Sequence, residues 1–296
     1  MGSRLDACAA FAGERSHCHS SNRLDDIENG TSAQGSDMKT LNAIVIVLLC
    51  TFILAPTVVI ALTSFGAGEI LEFPPRGWTL RWYGYAIAKP EFQQAAWNSL
   101  WIAVVTMLIS APLAVLASMA LVRGRIPGRE LIQTILLAPL VVPSIVIGLS
   151  ILLASARFDL PLVEARLLIA HVLITLPYLV RTVTSSLVRL DPVAEEAARV
   201  LGADSFRTFW FVTLPALRPG IIAGMIFAFI ISFDNVSISL FLASAKTNTL
   251  PLSLMSYIEY NLDPSVAAVS TLLILMALAA AIALERLAGL RRTLGG

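Results

Sequence analysis

Side chains that could do chemistry are scarce in this chain and concentrate in three places. The first is the run Glu195-Glu196-Ala197-Ala198-Arg199-Val200-Leu201-Gly202, followed by Val212-Thr213-Leu214-Pro215. Adjacent carboxylates beside small residues make a charged, low-relief surface suited to a partner protein's groove. The second place is an apolar stretch interrupted by Asp234, with Ser232, Asn235 and Ser239 close by, and with His171 and Arg181 in another apolar stretch. The third is Cys8, His17, Cys18 and His19 near the N-terminus. Their spacing matches no standard zinc pattern, and nothing nearby could fold around an ion, so neither a metal nor a cofactor is expected.

Catalytic signatures are missing. A nucleotide-binding P-loop needs Gly-Lys-Ser/Thr with the lysine on the phosphates. The lysines here are Lys39, Lys89 and Lys246, preceded by Met, Ala and Ala. There is no Gly-x-Ser-x-Gly or His-Glu-x-x-His, so an enzyme of those classes is not expected either.

The elements that must position these residues follow from composition. The 296 residues are 57% hydrophobic and 14% charged, with a mean hydropathy of +0.79. Soluble domains carry about 25% charged residues, so this chain could not cover a water-facing surface. Its three cysteines cannot build a disulfide framework. The class that remains is an all-α polytopic membrane protein. A helix crosses the hydrocarbon with about 20 apolar residues, and six candidates occur: 41–63, 98–121, 131–155, 167–188, 220–243 and 265–287. Internal prolines at 56, 112, 139, 143 and 177 are compatible with membrane helices, where neighbours re-satisfy freed carbonyls.

With six spans, both tails and the second and fourth loops share one side. That side carries fourteen Lys and Arg against six on the other, with Arg181 inside a span. The bias predicts that both termini are cytoplasmic. Residues 1–37 are polar and aperiodic and read as a disordered cytoplasmic tail. Met38-Lys39, directly before the first span, looks like a natural translation start. The membrane domain is then 38–296, with its informative loop at 189–219. The first span is too long for a signal-peptide core and lacks a clear cleavage site, so it reads as an uncleaved helix.

Within that loop, Pro192 suits a first helical turn, Glu195 and Glu196 lie near the positive helix end, and the alanines favour helix. Gly202 permits a left-handed or close-packed turn. A second helical stretch, 205–213, is expected to end at Leu214-Pro215. The alternative reading is a plain solvated linker.

Here the sequence resembles a known family. Glu196-Ala197-Ala198, three residues, Gly202, nine residues, then Val212, any residue, Leu214-Pro215 is the signature loop of permease subunits of binding-protein-dependent ABC importers, with Val where Ile is commoner. The resemblance covers roughly 38–292. It implies a type I importer permease of six helices in a bacterial cytoplasmic membrane. Its loop would dock on an ATP-binding subunit, with Glu196 as the charged contact and Gly202 allowing the turn. The implied partners are a dimer of that ATPase, a second homologous permease, an extracytoplasmic substrate-binding protein and the lipid bilayer, with no nucleic acid. The stretch from Ser232-Phe233-Asp234-Asn235 through Thr249-Leu250-Pro251 to Asp263-Pro264-Ser265 is similar to the second permease of spermidine/putrescine importers. Those often carry an acid where this chain has Asn235. A polyamine cargo is therefore expected, with ferric iron, sulfate or another solute of the same importer class as the alternative.

On an unbroken fifth span, Gly224, Ala228, Ser232, Asn235 and Ser239 fall within about 80° of one another. That stripe is either a helix-packing face or the lining of a pathway. Asp234 lies outside it, about 21 Å up from Gly220, where an unpaired charge costs at least a few kcal/mol. It is either a cavity residue or paired to a sister subunit. Arg181 sits about 10 Å from the basic end of its helix, too shallow to pair with it, and is expected to snorkel. His171 reads as a hydrogen-bonded core residue. The aromatic outer loop, with Phe73, Trp78, Trp82, Tyr83, Tyr85 and Trp97, reads as an interfacial belt or a binding-protein surface. A secondary transporter is the distant rival, disfavoured by the absence of a clear repeat and of an ion relay.

Overall fold

The computed structural model describes residues 22–158 and 162–288. Among them every helix or strand element is helical: α1 Asn22–Thr63, α2 Arg81–Ala88, α3 Pro90–Arg123, α4 Arg129–Leu137, α5 Ser144–Arg157, α6 Val163–Arg189, α7 Pro192–Val200, α8 Ser205–Thr208, α9 Leu214–Phe233, α10 Val236–Leu242, α11 Leu250–Ile258 and α12 Ser265–Ala288. The chain divides into two compact units, one ending at Val59 and the other beginning at Ile60.

The first unit contains most of α1. Its apolar part, Leu41–Thr63, is 23 residues long, enough to cross a bilayer. The helix runs back to Asn22, where composition reads as a disordered tail. Extending an existing helix needs no new nucleus, so polar turns can be added onto an apolar one. Cys8, His17, Cys18 and His19 lie outside the described residues.

At the centre of the second unit, α3, α6 and α9 each touch the other two. Between helices in lipid the hydrophobic effect gives little, so close backbone approach and interhelical hydrogen bonds do more of the work. Both are present. Gly220 and Gly224 of α9 lie against α6: a Cβ on Gly224 would stand 3.1 Å from the Leu179 Cα, and one on Gly220 would stand 2.9 Å from the Thr182 carbonyl. The Ser110 and Thr175 hydroxyls are 3.1 Å apart, Ser118 donates to the Val180 carbonyl at 3.2 Å, and Thr184 donates to Ser118 at 3.0 Å. Apolar clusters fill the remainder, among them Ala114, Leu121, Leu179, Val180 and Ala228, and Val115, Val183, Leu187 and Leu217.

Two expected spans are not continuous helices. The segment expected at 131–155 breaks between α4 and α5, which are bent by 102°. Pro139 and Pro143 each remove an N–H donor within four residues, and Pro143 takes an extended ψ of 131°. Tolerance of one proline by a membrane helix does not extend to this pair. The segment expected at 220–243 stops at Phe233 and restarts at Val236. Conversely, the loop helix expected to end at Leu214-Pro215 does not end. Ser205–Phe233 is one helix of 29 residues, widened into a π turn at Phe209–Thr213. That wider turn, just before Pro215, lets a residue without an N–H enter the helix.

Aromatic side chains knit the opposite loop side. Trp82 is buried and its indole donates to the Gly66 carbonyl at 3.0 Å, while Trp78 and Trp97 are exposed. The Lys89 ammonium lies 4.0 Å from the Tyr257 ring centroid. Tyr257 donates to Asp263 at 2.6 Å, and burial, reinforced by that bond, pushes its phenol pKa upward.

Candidate functional site

The loop on the basic side is built around a capped nine-residue helix, α7. Pro192 occupies its first turn, and the Asp191 carboxylate accepts from the Val193 N–H at 2.9 Å, a standard N-cap. At the other end Gly202 has φ +89°. The Ala203 N–H reaches the Ala198 carbonyl at 3.0 Å and the Gly202 N–H reaches Arg199 at 2.9 Å. This is a Schellman cap, which requires a left-handed residue at that position. A Cβ there would meet nothing within 4 Å, so backbone torsion rather than space demands glycine. Asp204 then caps α8, accepting from the Arg207 N–H at 2.7 Å.

The two neighbouring glutamates differ in burial. Glu196 is exposed together with Ala197, while Ala198 is half-buried. No hydrogen bond or ion pair holds Glu196 among the described residues. The same segment exposes large apolar side chains: Val200 is 87% exposed, Leu201 88%, Phe211 79% and Phe206 72%. Glu195 instead is 6% exposed. Its carboxylate accepts from Thr213 at 2.8 Å and lies 3.3 Å from the Arg123 Nε at the end of α3. Arg123 also donates to the Leu190 carbonyl at 3.2 Å. Sequence reasoning singled out Glu196 and missed Glu195 as a structural carboxylate. Leu214 and Pro215 lie half-buried in the continuous helix.

At the far end of α9, Asp234 is the helix C-cap, its N–H on the Ile230 carbonyl at 3.0 Å. Asn235 caps α10, its side chain accepting from the Ile238 N–H at 2.8 Å. The break invalidates the expected stripe beyond Ser232, because angular positions cannot be carried across the non-helical Asp234 and Asn235. Ser239 is buried and donates to the Asn235 carbonyl at 3.0 Å. Ser232 is buried too, 2.8 Å from His171 Nδ1, so His171 is a hydrogen-bonded core residue. Asp234 is exposed and makes no ion pair among the described residues. Arg181 is not its partner: it lines a groove of about 570 Å³ between α6 and α9, with Tyr178, Ser185, Arg189 and Phe227.

One prediction separates packing from lining at Ser232. Ser232→Ala removes an interhelical bond worth about 0.6–2 kcal/mol. The expected outcome is a lower Tm in detergent with solute affinity unchanged; a changed KM with an unchanged Tm would place Ser232 on the pathway.

Comparison with known proteins follows this geometry. The family described as binding-protein-dependent transport system inner membrane component matches residues 110–290. The Putrescine transport system permease protein PotI of Escherichia coli (strain K12) is 34% identical over 239 residues, spanning 78% of this chain and 85% of the relative. The Spermidine/putrescine transport system permease protein PotC of the same strain is 29% identical over 237 residues, spanning 80% and 89%. Among solved structures, a chain of a bacterial ABC transporter involved in the import of the acidic polysaccharide alginate superposes with a TM-score of 0.64 at 17% identity, covering 86% of this chain and 97% of that one. At that identity the likeness shows the fold alone.

Proposed function

The chain belongs to the family of binding-protein-dependent transport system inner membrane components, and from that premise we propose that it carries a polyamine inward as one half of a permease pair. It is a multi-pass membrane permease subunit of an ABC importer, and ATP is hydrolysed in a separate subunit. The rest is our reading. The basic side faces the cytoplasm, and α7 with the Gly202 turn docks on the ATPase. The observation that carries this is Glu196, exposed and without an ion pair or hydrogen bond among the described residues, in a segment that also exposes Val200, Leu201, Phe206 and Phe211. Large apolar side chains left bare beside an unpaired charge suit an interaction surface. A second permease covers the other half of the path, and a loaded binding protein docks on the aromatic side.

Asp234 supports a cationic cargo. At the break its carboxylate adds to the partial negative charge of the α9 C-terminal carbonyls, and among the described residues no basic side chain pairs with it. Discontinuous membrane helices commonly place such ends at a solute. The relatives named for putrescine and spermidine agree with that chemistry. The sequence at Asn235 tempers the comparison, since a second acid is absent there.

The test is reconstitution with the subunits encoded beside it, followed by uptake of labelled putrescine and spermidine. A stoichiometric ATPase should co-purify. Asp234→Asn should raise the apparent KM for the cation by about tenfold or more, the worth of one charge-assisted contact, and leave ATPase binding intact. Unchanged kinetics would return Asp234 to a structural role; uptake by this subunit alone would end the importer reading.

A further inference from the structure

Glu195 is the buried carboxylate among the described residues, and nothing in a docking role for the loop requires it. Burying a carboxylate is costly unless it is paired and hydrogen-bonded, so its surroundings indicate what it is for. Two elements meet on it, and a third is reached through one of them. The Arg123 guanidinium comes from the last turn of α3 at 3.3 Å. The Thr213 hydroxyl comes from the π turn that feeds α9 at 2.8 Å. Through Arg123, the Leu190 carbonyl just beyond α6 is drawn in at 3.2 Å. The docking helix is thus tied at one carboxylate to the ends of all three central spans. Glu196, one residue on and about 100° around the helix, is exposed.

We propose that this Arg123–Glu195–Thr213 clasp transmits movement of the docking helix to the spans, making Glu195 a positioning residue for coupling. The inference rests on the reading of α7 as the ATPase contact and adds the linkage behind it. Without the clasp, α7 is joined to the membrane helices by the short links 190–191 and 201–204 and by surface contacts. A displacement of α7 could then be absorbed in those links. With it, α3 and α9 must follow. Energetic coupling travels through contiguous networks of ion pairs and hydrogen bonds of this kind, and single changes along them shift it by amounts equal to about twofold to thirtyfold.

The experiment uses the reconstituted importer with loaded binding protein and compares Glu195→Gln, Arg123→Gln, the double variant, and the milder Thr213→Val and Arg123→Lys. The ratio of solute moved to ATP hydrolysed should fall about twofold to thirtyfold in Glu195→Gln and Arg123→Gln. ATP hydrolysis and co-purification of the ATPase should persist, and the double variant should be no worse than the worse single one. Arg123→Lys, which keeps the charge, should recover part of the ratio. An unchanged ratio, additive losses, or loss of the ATPase from the complex would overturn the proposal. A second readout needs no partner: in inside-out vesicles, trypsin should cut at exposed Arg199 faster in both single variants than in the parent chain. Equal cleavage rates would overturn the clasp even if the ATPase contact stands, whereas absence of ATPase from the parent complex would defeat the docking reading and leave cleavage to decide the clasp.

Discussion

Glu196→Lys abolishes solute uptake while the subunit stays folded in the membrane. The expectation follows from where the side chain lies. Glu196 is exposed and makes no hydrogen bond or ion pair among the described residues, and surface substitutions of that kind change stability by only about 0.5 kcal/mol. A loss of function there cannot be charged to misfolding. Reversing a charge at a partner's contact leaves two like charges opposed, and such juxtapositions cost several kcal/mol. Gly202→Asp should act alongside it for a different reason. At φ +89° with open space around the Cβ, the penalty is torsional, about 1–2 kcal/mol, and the relaxed loop loses the two cap bonds from Gly202 and Ala203. Because Asp tolerates the left-handed region better than other non-glycine residues do, Gly202→Val should be more severe than Gly202→Asp, with Gly202→Ala between them. Uptake and ATPase co-purification from solubilised membranes would measure both sites. Normal uptake in Glu196→Lys and Gly202→Asp together would refute the assignment of this loop to coupling.

The second large effect is expected at the α6–α9 contact, and it concerns folding. Gly224→Val places a branched side chain where even a Cβ would stand 2.9 Å from Leu179 Cδ2 and 3.1 Å from its Cα. Backbone cannot step aside as a flexible side-chain tip can. Gly220 is tighter still, against Ser186 and the Thr182 carbonyl. Overpacking a close contact costs about 1–3 kcal/mol, occasionally more. The expected outcome is a lower Tm in detergent and reduced permease in the membrane, for Gly224→Val more than for Gly224→Ala. An unaltered Tm in Gly224→Val would mean that the helices do not approach as closely as described.

Much of the architecture could be read from residue order because the bilayer imposes it. The first span, at Leu41–Thr63, and the all-helical class follow from apolar run length and need no tertiary information. The docking turn was legible for a related reason: a left-handed cap strongly favours glycine, and Gly202 stands at the fixed distance from Glu196-Ala197-Ala198. What escaped was set by neighbours. Whether Glu195 or Glu196 turns inward depends on Arg123, seventy-two positions earlier in the chain, and no local pattern records that. Continuation of the helix through Pro215 depends on the π turn, whose only local sign is the aromatic run Phe209-Trp210-Phe211. The break at Asp234-Asn235 did leave a trace, since Asn is among the best helix N-caps. The length of the apolar run concealed it.

The helix Ser205–Phe233, 29 residues without a stop, has a mechanical consequence. At about 1.5 Å per residue it is a strut about 43 Å long, with the docking turn at its foot and Asp234 at its head. A strut delivers axial displacement without waiting for a core to repack. Its weak point is the π turn, and the clasp on Thr213 splints it there. The compliance that remains lies at the head, where α9 gives way to α10, so a movement begun at the foot finds its first free joint beside the intramembrane carboxylate.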